Sequence, residues 1–503
     1  ESYCDQKNGK NGYGNFPNKS VELSELELSL TSVVLATSLD RMKIDCVVYD
    51  DENIIEKHQT QLESQIESGI KYVCISTTFL WHLHDVKKII KFFLSRDSGI
   101  KIILGGQVLM VWGERAYEEL DDVFCYCLGD MDHAFGEIIA ALIESKPPDS
   151  LLKKVCKYGK SFYVSSESIS DLDTVVLPDW GLLKKINFNN NYFAYNPLPE
   201  RIPVEERRGC VFRCSFCSYH TLNVHRQKSP ARIVEELKNL NKLGYKKVNF
   251  TAAEFIAPPR KCRETLELII EADLGFDIMA SARIDLLSKH PDIIDLMIKA
   301  GFTKVYFGVE SGDQTILKNM DKYFDLLLVS DVVKKLRKNN IDVWASFIFG
   351  FPGETNDTIQ NTINFINKSN FSTLDLHALQ VIPGTPLDVN REKFNLKTLG
   401  NIWSHSTMSL KDIPDLMKEV FVKVHQNCDS TVLHIRDHLS KYIPQKNVST
   451  KSSSAIDKGF HDLICIEYDD AIVSKEEHLL KVWNEMKPHV EYIPDYLLTS
   501  HKT

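Results

Sequence analysis

Arg207–His220 reads RRGCVFRCSFCSYH and carries three cysteines, Cys210, Cys214 and Cys217, spaced CxxxCxxC, with Phe216 directly before the third. Three thiolates this close can cap three irons of a cubane and leave the fourth iron open. Soft thiolate ligands select iron–sulfur clusters or zinc. A structural zinc site would want a fourth ligand nearby, and His220 is the obvious candidate. The stretch alone does not separate the two metals; what surrounds it does.

Downstream, short β-rich runs alternate with amphipathic helices. After the strand Ile202–Glu205, strands are predicted at Lys247–Thr251, Asp277–Ala282, Lys304–Val309, Asp342–Phe349 and Thr373–Val381. Ser229 is a good cap for a helix Pro230–Leu243 with proline at its first position. Six parallel strands with crossover helices fit an open (β/α)6 partial barrel, which places its chemistry at the carboxyl ends of the strands. Those ends carry Glu254 in FTAAEF, Ser281 and Arg283 in MASARID, and Glu310, Ser311 and Gly312 in FGVESG. The fifth ends in FIFGFPGET (Phe347–Thr355), and the sixth carries His377 and Gln380 and ends in VIPGTPL.

The cysteine motif followed by these strand ends resembles the core of the radical S-adenosylmethionine (SAM) enzymes over about 190 residues. The resemblance implies a [4Fe-4S] cluster on Cys210, Cys214 and Cys217, with the open iron binding the amino and carboxylate groups of SAM. One-electron cleavage of the sulfonium then gives a 5′-deoxyadenosyl radical that abstracts hydrogen from substrate. Glu254, Ser281, Arg283 and Glu310 are the candidate SAM contacts: carboxylates suit an ammonium or a ribose, and an arginine suits a carboxylate. His220 then supports the cluster loop instead of binding zinc. An electron donor such as flavodoxin or ferredoxin is implied.

The first third alternates in the same way. Helices are expected at residues 21–42, Glu52–Ser68, His84–Leu94, Glu114–Leu120 and Ala134–Ile143, and strands at Asp45–Tyr49, Tyr72–Ser76, Ile100–Leu104 and Val123–Leu128. This pattern gives a doubly wound, Rossmann-like parallel sheet, with ligands at its carboxyl edge. That edge carries Ser76, Thr77, Thr78, Gly105, Gly106 and Gly129, small residues that let a bulky ligand approach the backbone. ILGGQV, followed by YCLGD and Gly136-Glu137, resembles the cobalamin-binding domain that precedes one large branch of the radical SAM family. The DxHxxG motif of other cobalamin proteins is absent; Asp132-His133 with Gly136 is a near miss. Cobalamin bound without a protein imidazole is the implied arrangement, and a domain that keeps the fold and binds nothing is the alternative. No clear first strand precedes residue 21.

The fold expected is therefore α/β: residues 1–165 a cobalamin-type domain, 166–199 a linker, 200–395 the radical SAM core, and 396–503 a small α+β closing region. In the linker, VVLPDW (Val175–Trp180) continues the resemblance, and the asparagine-rich stretch 187–196 is expected to be irregular. In the last region Trp403 and His405 are candidate pocket residues, with a packed tryptophan and a capping histidine as the equal alternative. A helix is expected at Leu410–Gln426, a polar loop at Lys446–Lys458, a strand at Leu463–Asp470 and a helix from Ser474 to Met486.

A chain of 503 residues is too long for one core. Its net charge of -9 argues against a nucleic-acid footprint. No apolar run is long enough to span a membrane, and the polar start ESYCDQKNGKNGYG reads as no signal peptide. Glu1 in place of Met leaves processing or truncation as an expectation. Nine further cysteines (Cys4, Cys46, Cys74, Cys125, Cys127, Cys156, Cys262, Cys428 and Cys465) read as reduced-compartment usage, with Cys46 and Cys74 on buried strands; a cytoplasmic setting is expected.

The function expected is a cobalamin-dependent radical SAM methyltransferase acting on an unactivated carbon or phosphorus centre of a small molecule. The alternatives are radical chemistry without methylation (cyclisation, rearrangement or aminocarboxypropyl transfer) and a non-enzymatic zinc or cluster protein. A tRNA methylthiotransferase is disfavoured, because the tail is not basic and Cys46, Cys74 and Cys125 lie on strands.

Overall fold

The computed structural model describes residues 29–49, 54–78, 80, 83–120, 122–144, 154–158, 161–166, 168–184, 187–189, 201–222, 224–399, 402–425 and 431–432. The expected elements between 433 and 503, and any strand before residue 21, lie outside them.

The first sheet grows from strands rich in Val, Ile, Tyr and Cys that bury one row of side chains against helices. After β1 (Val47–Tyr49), β2 (Tyr72–Ser76), β3 (Lys101–Gly105) and β4 (Cys125–Leu128) follow in order, with β5 (Lys154–Tyr158) and β6 (Ser161–Ser165) beyond. The order is β2-β3-β4-β6-β5; β5 alone runs antiparallel, at the edge. The β5–β6 pair is not in the expected set, although two residues separate two β-rich runs, KVCKY and SFYVS, which is a hairpin signature. The register sets Ser76 beside Gly105 and Gly105 beside Cys127, so the carboxyl ends stand in one row.

Two expectations are corrected here. Asn187–Asn189 is a strand, β7, and not irregular; it pairs in parallel with β1, outside the main sheet. Cys74, read as buried, is exposed on β2. The described stretch 168–184 is tightly packed. Trp180 is buried in the same apolar cluster as Val33 and the barrel strands. The Asp179 N–H donates to Thr37 Oγ1 (2.9 Å), and the Ser229 N–H donates to Asp173 Oδ1 (2.7 Å).

The second sheet is all parallel. It is built from β8 (Ile202–Val204), then, beyond a short antiparallel pair β9 (Arg207–Arg208) and β10 (Arg226–Gln227), from β11 (Lys247–Phe250), β12 (Asp277–Ala282), β13 (Phe302–Glu310), β14 (Asp342–Phe349) and β15 (Thr373–Ala378). After a small hairpin of β16 (Lys397–Leu399) and β17 (Ile402–Ser404), the short β18 (Thr431–Val432) adds at the far edge, giving β18-β15-β14-β13-β12-β11-β8. Side chains alternate across this sheet. Val305, Phe307, Val309, Val343, Ala345, Phe347, Leu374 and Leu376 pack under the helices. Met279, Tyr306 and Trp344 gather on the other face, the barrel interior. Burial of each large apolar side chain contributes roughly 1.5–3 kcal/mol. Ser229 caps the helix Pro230–Lys242 by accepting from the Arg232 N–H, with Pro230 at its first position, as the sequence predicts.

The described residues between 397 and 432 belong with the barrel. Val420 and Val424, on the helix Ile413–His425, lie in the main core. Trp403 is buried and donates its indole N–H to the Leu379 carbonyl (3.0 Å). His405 stacks on Trp403 and bonds the Gly350 carbonyl through Nε2 (3.0 Å). Both side chains pack as the second alternative describes, and brace the loop after β14.

Candidate active site

The CxxxCxxC loop leaves the barrel after β8 and returns through the β9–β10 pair, where Arg208 faces Arg226 and Arg207 faces Gln227. Its backbone is pinned at three points. The Ser215 N–H donates to the Met320 carbonyl (2.9 Å), the Leu387 N–H to the Ser215 carbonyl (2.8 Å), and the Arg207 guanidinium to the carbonyls of Phe255 (2.5 Å) and Ala257. Phe216 packs among Ile316, Met320, Phe351 and Leu387. The aromatic before the third cysteine is thus the loop's apolar anchor.

Burial pushes the Cys210 thiol up, and pushes that of Cys217 to about 11; the neighbouring thiols reinforce both shifts. Such thiols keep their protons near neutrality until a metal displaces them. Among the described residues no three His, Cys, Asp or Glu side chains are arranged to hold a single metal ion. A mononuclear zinc would need its ligands drawn to about 2.3 Å from one point, whereas a cubane spreads three cysteines over three irons. The all-thiol donor set, at one loop, fits the cluster.

Around the loop the strand ends converge. Glu254, after β11, is buried; its Oε1 accepts the N–H groups of Ile256 (2.6 Å) and Ala257 (3.2 Å), and its Oε2 accepts that of Arg283 (2.5 Å). Arg283, after β12, donates Nε to Asp285 (2.9 Å), lays its guanidinium 4.0 Å from the centre of the Phe212 ring and places Nη1 3.6 Å from Cys214 Sγ. An N–H···S contact of this kind would tune a cluster held by Cys214. Ser281 holds the Glu254 loop through its carbonyl, which accepts the Phe255 N–H (2.9 Å).

Glu310 sits where the β13–β14 register shifts, at φ +72°. A non-glycine residue in that region is strained. Lys322 Nζ pairs with its Oε1 at 3.1 Å, and the Ser346 hydroxyl donates to Oε2 at 3.0 Å. A Cβ at Gly308 would run into this carboxylate, which explains the first glycine of FGVESG; one at Gly312 would meet Phe365 at 2.5 Å, which explains the second. Ser311 bonds Thr362 (3.2 Å) and accepts the Asp313 N–H (3.1 Å). Inside the barrel, Asp375 Oδ2 receives both the Tyr306 hydroxyl (3.0 Å) and His377 Nε2 (2.9 Å); Gln380 is exposed. The Asp375–Tyr306 link, Lys322, Phe212 and Asp285 escaped the sequence reading. Their partners lie on other strands or, for Asp285, in an unremarkable helix start.

Residues 207–366 match the family model described as the radical SAM superfamily. The chain thus carries a radical SAM domain over that stretch. It is an enzyme, and the domain's cofactors are SAM and a [4Fe-4S] cluster. It is 24% identical over 356 residues to an uncharacterized methyltransferase of Pyrococcus horikoshii, covering 69% of this chain and 73% of that one. It is 28% identical to the hopanoid C-2 methylase of Rhodopseudomonas palustris, covering 37% of this chain and only 36% of the relative. The fold is that of the radical SAM methyltransferase TsrM from Kitasatospora setae, solved with cobalamin and a [4Fe-4S] cluster: TM-score 0.64, 12% identity, 92% of this chain and 96% of that one.

The carboxyl edge of the first sheet is built differently. Gly106 has φ +107°, and a Cβ there would lie 2.7 Å from the Thr77 nitrogen; at Gly129 it would lie 2.6 Å from the Ser166 carbonyl. These glycines admit the chain's own backbone. Thr77 is buried and accepts the Leu109 N–H (3.1 Å), fixing the helix Gln107–Trp112. Ser76 and Thr78 bond one another (3.2 Å) and are half-buried. The row Ser76–Gly105 carries nothing larger than a hydroxymethyl group, which fits a flat macrocycle laid across the strand ends.

This edge touches the cluster loop on both flanks. Before the cysteines, Arg208 forms a bidentate pair with Asp132 (2.7 and 2.9 Å) and meets Asp130 at 3.1 Å, both in the loop after β4. After them, the helix Tyr219–Leu222 packs on the helix Gln107–Trp112. The near miss Asp132-His133 therefore has a use that the motif comparison does not suggest: Asp132 pairs with an arginine.

Proposed function

We propose that the chain is a cobalamin-dependent radical SAM methyltransferase acting on an unactivated carbon or phosphorus centre of a small molecule. The observation that carries this reading is the apposition of two ligand edges: the carboxyl ends of the first sheet lie against the loop of Cys210, Cys214 and Cys217. A cofactor on one edge faces chemistry on the other. The methyltransferase and methylase names of the two curated relatives, and the cobalamin in the TsrM structure, support it.

Residues 1–165 hold cobalamin through the edge that carries Ser76, Thr77, Gly105, Gly106 and Gly129. Residues 200–395 hold the cluster and SAM, residues 166–199 join the two, and residues 396–503 close the barrel. Cys210, Cys214 and Cys217 would hold the cluster, which would supply the electron for reductive cleavage of SAM. Arg283, whose Nη1 lies 3.6 Å from Cys214 Sγ, would support that ligand and offer positive charge to the SAM carboxylate. Glu310 offers a carboxylate to the SAM ribose or ammonium, and Glu254 and Ser281 fix the backbone that carries Arg283. Buried walls exclude water from the site. A reductant is required, of the flavodoxin or ferredoxin class, in a reducing compartment such as the cytoplasm. Among the described residues no helix is long and apolar enough to cross a membrane.

Anaerobic reconstitution tests the reading. Iron and sulfide near four per chain, corrinoid absorbance that survives desalting, and 5′-deoxyadenosine with S-adenosylhomocysteine as products are expected. Iron and sulfide without corrinoid would sink the cobalamin half. A second reading, radical chemistry with the first domain as scaffold, draws on Gly106 and Gly129 being filled by the chain itself. Methylthioadenosine as the product would favour its aminocarboxypropyl-transfer form.

A further inference from the structure

The ion pairs between the two edges lie on neither side's proposed cofactor contacts, yet they form one connected, shielded network. Arg208 stands two residues before Cys210. One edge of its guanidinium grips Glu205 (Nε and Nη2, both 2.8 Å), and the other grips Asp132 in the bidentate pair. Asp130 bridges Arg208 to Arg226 and accepts the Ile169 N–H (2.8 Å). Arg226 in turn donates to the Ile169 carbonyl (2.7 Å). The side chains of Arg208, Arg226, Asp130 and Asp132 are 7–13% exposed. Arg208 and Arg226 face each other across β9–β10, at the neck from which the cysteine loop springs. Asp130 and Asp132 follow Gly129 directly, at the carboxyl end of β4.

Surface ion pairs hold little, but a shielded guanidinium fork between two carboxylates fixes distance and angle together. An arginine could have been placed anywhere on this interface. Here it joins the neck of one cofactor loop to the tip of another.

We propose that Arg208, with Asp130 and Asp132, is a positioning clasp that sets the separation and tilt between the cluster loop and the corrinoid edge, and so couples radical formation to methyl transfer. These residues touch neither cofactor; they act through Cys210 on one side and the Gly129 turn on the other. The geometry of the clasp stands by itself. Its consequence for coupling rests on the proposed cobalamin function.

The test uses the full chain, reconstituted anaerobically, with Arg208→Lys, Asp132→Asn and the exchanged pair Arg208→Asp/Asp132→Arg. Lysine keeps the charge and loses the fork. Iron content is expected to stay at the wild-type level in Asp132→Asn, which lies far in sequence from the cysteines. Amide exchange in peptides spanning 129–133 and 207–217 is expected to quicken together by about tenfold in both single variants and to slow again in the exchanged pair. With cob(II)alamin bound and the cluster reduced, the magnetic interaction between the two paramagnets is expected to weaken. Deoxyadenosine formed per methylated product is expected to rise by about tenfold. If Arg208→Lys loses its iron, Asp132→Asn decides. Wild-type exchange in both peptides together with a wild-type product ratio would overturn the clasp. A wild-type chain that binds no corrinoid would instead overturn the cobalamin reading, and the exchange arm would still decide the clasp.

Discussion

The two sheets of this enzyme meet through the same kind of edge, the carboxyl ends of parallel strands, and furnish it in opposite ways. At the barrel edge three charged side chains are each committed: Glu254 to three backbone amides, Arg283 to Cys214 and Asp285, Glu310 to Lys322 and Ser346. At the first edge the residues are small, and two of the glycines are filled by neighbouring backbone. One edge builds a fixed electrostatic field, as a cluster and a zwitterionic cofactor require. The other builds only a flat surface. The difference makes the barrel edge sensitive to changes of charge and the first edge sensitive to changes of volume.

The largest effect is expected at the cysteines. Cys214→Ala removes a cluster ligand and the acceptor of the Arg283 contact. Iron and sulfide should fall, the cluster absorbance should vanish and SAM cleavage should drop to background. A variant that kept zinc, held no iron and behaved unchanged would break the comparison outright, since it would make the barrel edge a structural metal site.

Next comes a titration within the barrel edge. Glu354, in the FGFPGET loop, is fully buried; its Oε2 accepts the N–H groups of Gly350 (2.5 Å) and Phe351 (3.2 Å), and burial pushes its carboxyl up to about 7. A carboxyl raised above its unfolded value of about 4.3 binds its proton more tightly in the folded chain. Its stabilisation is therefore complete below that value and is lost as pH rises through about 7. Glu354→Gln keeps an oxygen for the two amides and removes the titration. Denaturant unfolding at pH 5 and pH 8 should show a pH dependence smaller than wild type by on the order of 3 kcal/mol. An unchanged dependence would place the charge elsewhere.

The sequence made much of this legible, for reasons that differ between the two edges. The strand Asp342–Phe349 is found where its β-branched and aromatic run places it, because a doubly covered parallel strand must be apolar along most of its length. Glu310 and Arg283 stand out because they end such strands. What stayed hidden depends on partners distant in the chain. Arg208 and Asp132 are separated by 76 residues, and neither is unusual until the sheets dock. Trp403 looks like a pocket residue until Leu379 takes its N–H. Glycine at the first edge signals close approach without saying what approaches, and at Gly106 the chain's own Thr77 lies within reach of an added Cβ.

That last point yields a volume test. Gly106→Ala must carry a Cβ at φ +107°, 2.7–2.9 Å from the backbone and hydroxyl of Thr77 and the nitrogen of Thr78. A loss of about 1–3 kcal/mol is expected, seen as early unfolding of the first sheet, with iron content intact. The loss should appear with and without cobalamin, since the clash is internal. If stability held and only corrinoid binding fell, the glycine would be a cradle for ligand instead.

The smallest effect is expected at Ser76, and it is informative because it is small. Its hydroxyl bonds only weakly, to Thr78 Oγ1 at 3.2 Å and from the Thr78 N–H at 3.5 Å, on a half-buried surface. Ser76→Ala should cost about 0.5 kcal/mol or less and leave corrinoid affinity nearly unchanged, because a flat surface does not need the hydroxyl. Ser76→Phe should be tolerated by the fold, since the residue stands at a strand end, and should abolish retention of corrinoid by raising a ring above the row it shares with Gly105. Absorbance after desalting separates the two. If alanine weakened binding as much as phenylalanine did, the hydroxyl would be a contact in its own right, and the first edge would recognise its ligand by polarity as the barrel edge does.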